Sequence, residues 1–169
     1  VKWDGAPAIF AGINPENGKF FVATKSLFNK TPKINYTVAD IEANHGSGGP
    51  SDKLKVAMKY LPELGMEGIY QGDIMFSKGD LKKTTIDGNS FLTFGPNTIT
   101  YAVPEDSPLA SQMRKASMGV VWHTKYTGNT IDSLSASFGV SASIFTQTKN
   151  VWFDDAYVKT ANAAMFTPS

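Results

Sequence analysis

Two short apolar runs, Ala8–Ile13 and Phe20–Ala23, flank Asn-Pro-Glu-Asn-Gly, and Asn17-Gly18 is a strong turn signal, so this stretch predicts a β-hairpin. The pattern then loosens through SLFNKTPKINYT, with Lys25, Lys30 and Lys33 at irregular spacing. TVADIEAN reads as a short helix capped by Thr37. HGSGGPS reads as a flexible loop. In SDKLKVAMKYLPEL, Leu54, Ala57, Met58 and Leu61 fall at i, i+3, i+4 and i+7, which predicts a helix capped by Ser51 or Asp52, with Pro62 near its end. MEGIYQGDIMFS predicts a strand, with Ile69, Gln71, Asp73 and Met75 on one face and Tyr70, Gly72, Ile74 and Phe76 on the other. SKGDLKKTTIDGNS is polar and reads as a loop. SFLTF and NTITYAV read as strands around Gly95-Pro96, and SPLASQMRKAS as a helix with Ser107 as cap and Pro108 at its first position. MGVVWHTKYTG predicts a strand, and the remainder is weakly patterned apart from VWFDDAYVK. Strands and helices in this order predict an α+β fold with a mostly antiparallel sheet.

Composition narrows the chemistry. With 169 residues, 41% apolar and 18% charged, the chain has the make-up of one soluble globular domain. No apolar run approaches a membrane span, and no basic-then-apolar leader pattern opens the chain. The first residue is Val rather than Met, so the expectation is a piece of a longer protein. Without cysteine, disulfides and thiolate metal sites are excluded, and two histidines make a His-rich metal site a poor expectation. A net charge of +1 gives no large field for steering nucleic acid. Arg114 is the only arginine, so a phosphate site must rely on lysines and backbone N–H groups.

Lys2-Trp3-Asp4-Gly5 raises the sharpest chemical question. In an extended segment Lys2 and Asp4 share a face, and Gly5 lets the backbone approach a ligand. The pair reads either as surface charges running into a turn or as a lysine nucleophile, which must be neutral to attack phosphorus. Asp73 disfavours a strand interior, so it reads either as the solvated side of an edge strand or as a carboxylate facing a ribose, a metal or a lysine. Thr24-Lys25-Ser26 reads as a phosphate contact or as a solvated lysine. Trp122 reads as core, His123 as structural, and Asp154-Asp155 as a cap or solvated turn.

Lys2-Trp3-Asp4-Gly5 resembles the first motif of the covalent nucleotidyltransferases, the ATP-dependent DNA and RNA ligases and capping enzymes. The order of later segments is similar: Thr24-Lys25-Ser26 on a hairpin, Tyr70-Gln71-Gly72-Asp73-Ile74, Ile99-Thr100-Tyr101-Ala102-Val103, and Met118-Gly119-Val120-Val121. Nearly the whole chain is also similar to a family of uncharacterised proteins of large tailed phages. The resemblance implies a single nucleotidyltransferase-like domain over residues 1–169, with antiparallel sheets around a cleft. It implies Lys2 as the residue that forms a lysyl–AMP intermediate from ATP. It implies Asp4, Gly5, Lys25, Asp73 and Tyr101 as nucleotide contacts, with Tyr101 stacking on adenine and Asp73 also holding Mg²⁺. RNA or DNA ends or other phage proteins would be partners, no membrane would be involved, and the protein would work in the infected bacterial cytoplasm or in the virion. Three departures stand out: Asp73 where ligases carry Glu, Met118 where they carry an acid, and Lys149 alone where they carry Lys-x-Lys. These departures imply the alternative of a phage structural or interaction protein that keeps the fold without the chemistry.

Overall fold

The computed structural model describes residues 8–46, 48, 50–77, 80–95, 100–155 and 164–166. Lys2, Asp4 and Gly5 lie outside the described residues, as does most of the Gly-Pro connection at 95–99. Strands β1 (Ala8–Ile13) and β2 (Phe20–Ala23) form the expected hairpin, with Gly18 in the left-handed region at φ 71°. Gly12 has a packing reason of its own: a Cβ there would lie 1.9 Å from the Gly68 carbonyl oxygen, to which Ile13 N–H donates.

Helix α1 (Val38–His45) starts at Thr37 with a full capping box: Thr37 Oγ1 accepts from Asp40 N–H, and the Asp40 carboxylate accepts from Thr37 N–H. Helix α2 (Pro50–Tyr60) begins one residue before its expected caps. Ser51 therefore sits inside the first turn, buried, with its hydroxyl donating to the Gly46 carbonyl. Strand β3 (Ile69–Ser77) follows. The polar stretch read as a loop instead contains strand β4 (Lys82–Ile86), which forms a hairpin with β5 (Asn89–Phe94), the strand expected at SFLTF. Asp87 and Gly88, at φ 50° and 82°, form its two-residue turn. Strand β6 (Thr100–Pro104), helix α3 (Pro108–Lys115, capped by Ser107) and strand β7 (Met118–Thr127) fall where the pattern predicts them. Three short strands complete the described chain: β8 (Ser135–Phe138), β9 (Val151–Asp155) and β10 (Ala164–Phe166). Asp154 and Asp155 therefore end a strand rather than capping a helix or forming a turn.

The architecture is α+β with two sheets. The larger has the order β2-β1-β3-β7-β8, with β9 also beside β7; only the β7–β9 pair is parallel. The smaller has the order β10-β6-β5-β4 and is antiparallel throughout. One face of the larger sheet carries Ile9, Ala11, Tyr70, Ile74, Val120 and Trp122, and buries them against Leu54, Ala57 and Leu61. The other face is apolar at both ends. At one end Phe10, Phe21 and Ile69 pack with Leu27. At the other, Met75, Phe76, Val121 and Trp152 pack with Leu92, Phe94 and Tyr101 of the smaller sheet and Met113 of α3. Phe76 thus joins the same cluster as Met75, against strict alternation. The ladder to β7 is irregular between Ile74 and Phe76, which turns the ring over Gly119. Between the two apolar clusters, this face of β3 carries Gln71 and Asp73.

Candidate functional site

Asp73 sits in the middle of the larger sheet, not on an edge. β3 is flanked by β1 on one side and β7 on the other, with Ala8 opposite Asp73 across the first ladder and Val121 opposite it across the second. Its side chain is 14% exposed. The neighbouring glycine has a structural cause: a Cβ on Gly72 would lie 2.5 Å from the Val121 carbonyl oxygen and 2.8 Å from the Trp122 ring. Gly72 lets the fully buried Trp122 lie flat on β3, and the next residue then projects its carboxylate to the opposite face.

Lys25 approaches the same row of the sheet from the far side of β1. Phe10 pairs with both Ala23 of β2 and Gln71 of β3. Two residues further along β1, Ala8 pairs with Asp73, whereas the β1–β2 ladder has already ended at the Phe10–Ala23 pair, two residues before Lys25. Lys25 opens a 3-10 turn, Lys25–Phe28, capped by Thr24, whose Oγ1 accepts from Ser26 N–H at 3.2 Å. It is exposed and has no ion-pair partner among the described residues. Across β7 the row continues to Asp154, which pairs with Val121 in the parallel ladder and so shares a sheet face with Asp73.

His123 joins this row through a β-bulge. Gln71 pairs with Thr124 and Gly72 with Trp122, which leaves His123 as the extra residue on β7. Its Nε2 lies 3.8 Å from Asp73 Oδ2, and its Nδ1 lies 2.6 Å from the hydroxyl of buried Thr124. The pair with Asp73 is ionic only when the imidazole is protonated. Further along the face the Tyr126 hydroxyl donates to Gln71 Oε1 at 2.7 Å. Burial raises the Tyr126 pKa, which keeps the phenol protonated and donating. The sequence alone placed His123 on a regular strand and Asp154 in a cap or solvated turn. The alternation Trp152-x-Asp154 was the available signal for the latter, whereas the bulge leaves none.

Other expected positions fall elsewhere. Tyr101 belongs to β6 of the smaller sheet, is 2% exposed and lies stacked on Phe94 at 20° and 5.5 Å. Its ring is therefore core in this arrangement, not a free platform for a base. Met118 is 1% exposed in the main core. Lys149 is exposed in the loop before β9. Among the described residues no three His, Asp or Glu side chains are grouped closely enough to hold a metal. Asp73 offers one carboxylate, which suits Mg²⁺ as that ion takes one or two carboxylates together with phosphate oxygens. A cavity of about 810 Å³ lies away from Asp73 at the other end of β3, among Gly68, Tyr70, Lys125, Tyr126 and Phe145.

Residues 1–169 match the model of a family of unknown function, DUF6267. No curated protein and no solved structure matches the chain. Among the described residues no helix is long and apolar enough to cross a membrane.

Proposed function

The chain belongs to the DUF6267 family, and we propose that this domain is a ligase-like nucleotidyltransferase core that forms a lysyl–AMP intermediate from ATP. The observation that carries the reading is the row across β2, β1 and β3. Ala8, three residues after Gly5 in the sequence, pairs with Asp73, and Phe10 pairs with both Gln71 and Ala23, the latter two residues before Lys25. Two segments singled out separately in the sequence, around Lys25 and Asp73, thus flank β1, the strand that follows Lys2-Trp3-Asp4-Gly5 in the sequence.

In this reading Lys2 Nζ, once deprotonated, attacks the α-phosphorus of ATP. A phosphorus–nitrogen bond forms, the bond to the bridging oxygen breaks, and pyrophosphate leaves with the electron pair. Asp4 orients Lys2 or binds the ribose, and Gly5 allows close approach of the backbone. Lys25 offsets phosphate charge with no carboxylate competing for it among the described residues. Asp73 holds the ribose or Mg²⁺, and the ion supplies charge screening on the triphosphate when bound. The nucleotide then passes to a 5′-phosphate end of RNA or DNA, or to a protein, in the phage-related setting that the sequence resemblance implies.

A second reading has its own observations. Met118, standing where ligases carry an acid, is buried, and Tyr101 is already stacked on Phe94. Both fit a structural or interaction protein that keeps the fold without turnover. Incubation of the full-length protein with Mg²⁺ and α-labelled ATP, followed by denaturation, separates the two. The transferase reading expects label on wild type, none on Lys2→Ala, and label slowed by about 10²-fold on Asp73→Asn, the scale of losing one charge-stabilising group. Absence of label with any of the four nucleotides supports the second, and equal label on wild type and Lys2→Ala overturns Lys2 as the nucleophile.

A further inference from the structure

We infer that the 3-10 turn Lys25–Phe28 and the lysines that follow it form a binding platform for an unpaired nucleic-acid strand, with Phe28 as the base-stacking ring. Phe28 is 48% exposed although it is a large apolar side chain. It is also held in place: it meets Phe10 edge-on at 5.2 Å and 82°, and Tyr126 at 5.4 Å and 44°. Leu27, fully buried beside it, anchors the turn in the Phe10–Phe21–Ile69 cluster. A ring fixed on one side and open on the other loses little freedom when a base lies on it.

Charge supplies the second, independent observation. Residues 24–33 read TKSLFNKTPK, with three lysines and no acidic residue. Lys25 and Lys30 are exposed and have no ion-pair partner among the described residues, whereas Lys53 and Lys55 are paired with Asp80 and Glu42. In a 3-10 helix residues i and i+3 eclipse, so Lys25 and Phe28 project to the same side, with a rise of about 6 Å between them. That spacing suits one phosphate and the base of a neighbouring nucleotide. A protein surface or a bilayer would be served by a broader apolar patch; here one ring stands among cations. A duplex keeps its base faces covered, so the ring selects unpaired strands.

The inference goes beyond nucleotidyl transfer and needs no step of it, because binding is read without ATP. Fluorescence anisotropy of labelled single-stranded RNA and DNA oligonucleotides, with the matching duplex as control, tests it on the full chain. Single strands of one or both kinds are expected to bind more tightly than duplex. Phe28→Ala is expected to weaken binding by about tenfold or more, and Phe28→Tyr, which keeps a stacking ring, to retain it. Lys30→Ala is expected to lower the slope of log affinity against log salt by about 0.7. Absence of single-strand binding, equal binding of duplex, or a Phe28→Ala protein that binds like wild type would overturn the platform. So would binding of anionic phosphatidylserine vesicles with no binding of oligonucleotide.

Discussion

Gly72, by lacking a Cβ, admits Trp122 to the core. Gly72→Ala is therefore expected to destabilise the fold by about 1–3 kcal/mol, the usual cost of overpacking, with a lowered urea midpoint as the readout. An unchanged midpoint would mean that the Trp122 contact is not tight in solution. His45 offers a residue-scale test by pH. Burial, with the nearby Lys33 charge adding to it, lowers its pKa, and the ring meets the Asn35 amide at 3.1 Å through Nε2. A histidine with a depressed folded pKa adds stability that is present above the unfolded value, about 6.5, and is lost as pH falls through the folded value. Stability of wild type should thus decline on acidification below about pH 6.5, and His45→Gln should decline less.

At the scale of elements, α2 is tied to the end of β3 by Asp80. Its carboxylate accepts from Lys53 at 2.6 Å and from Ser77 N–H and Oγ at 2.8 and 2.9 Å. Burial works against its ionisation, but these hydrogen bonds and the Lys53 charge together hold its pKa below the ordinary carboxylate value. The contribution is present above the unfolded value, about 3.9, and is lost as pH falls through the lower folded value. Because the pair is partly exposed, Asp80→Asn is expected to cost no more than about 1 kcal/mol at neutral pH. It should also flatten that acid limb in denaturation curves, and an unchanged limb would contradict the tie.

The elements also show where the sequence was legible. Capped helices and the first hairpin declare themselves locally, through Thr37, Ser107 and Asn17-Gly18, and they form as expected. The β4 half of the β4–β5 hairpin was hidden because that strand is mostly exposed, so its polar residues read as loop although Asp87-Gly88 marks the turn, whereas SFLTF of β5, with Leu92 to Phe94 buried, read as a strand. Asp73 was legible as a misfit on a strand. His123 reached it only through a bulge, and a bulge is decided by packing against the neighbouring strand rather than by the residues that carry it. Tyr101 looked available because a strand pattern gives two faces and does not say which one a second sheet will cover.

On the scale of the whole molecule, the larger sheet packs on one face against α2 and, among the described residues, on the other against the Phe10 cluster at one end and the smaller sheet at the other. The polar strip of Gln71, Asp73 and His123 lies between those ends, with Lys25 and the Phe28 ring bordering it on the β2 side. This arrangement sets an exposed lysine, a carboxylate and an exposed ring along the same part of the sheet, and in the proposed reaction they would serve the joining of a nucleotide to a strand end. The central claim is that this surface serves a lysine nucleophile. Intact-mass spectrometry of the full-length protein after incubation with ATP and Mg²⁺, followed by peptide mapping, tests it most directly. The account predicts a mass gain of one adenosine monophosphate, mapped to Lys2 and released by added pyrophosphate; an unmodified mass, or an adduct mapped to another residue, would contradict it.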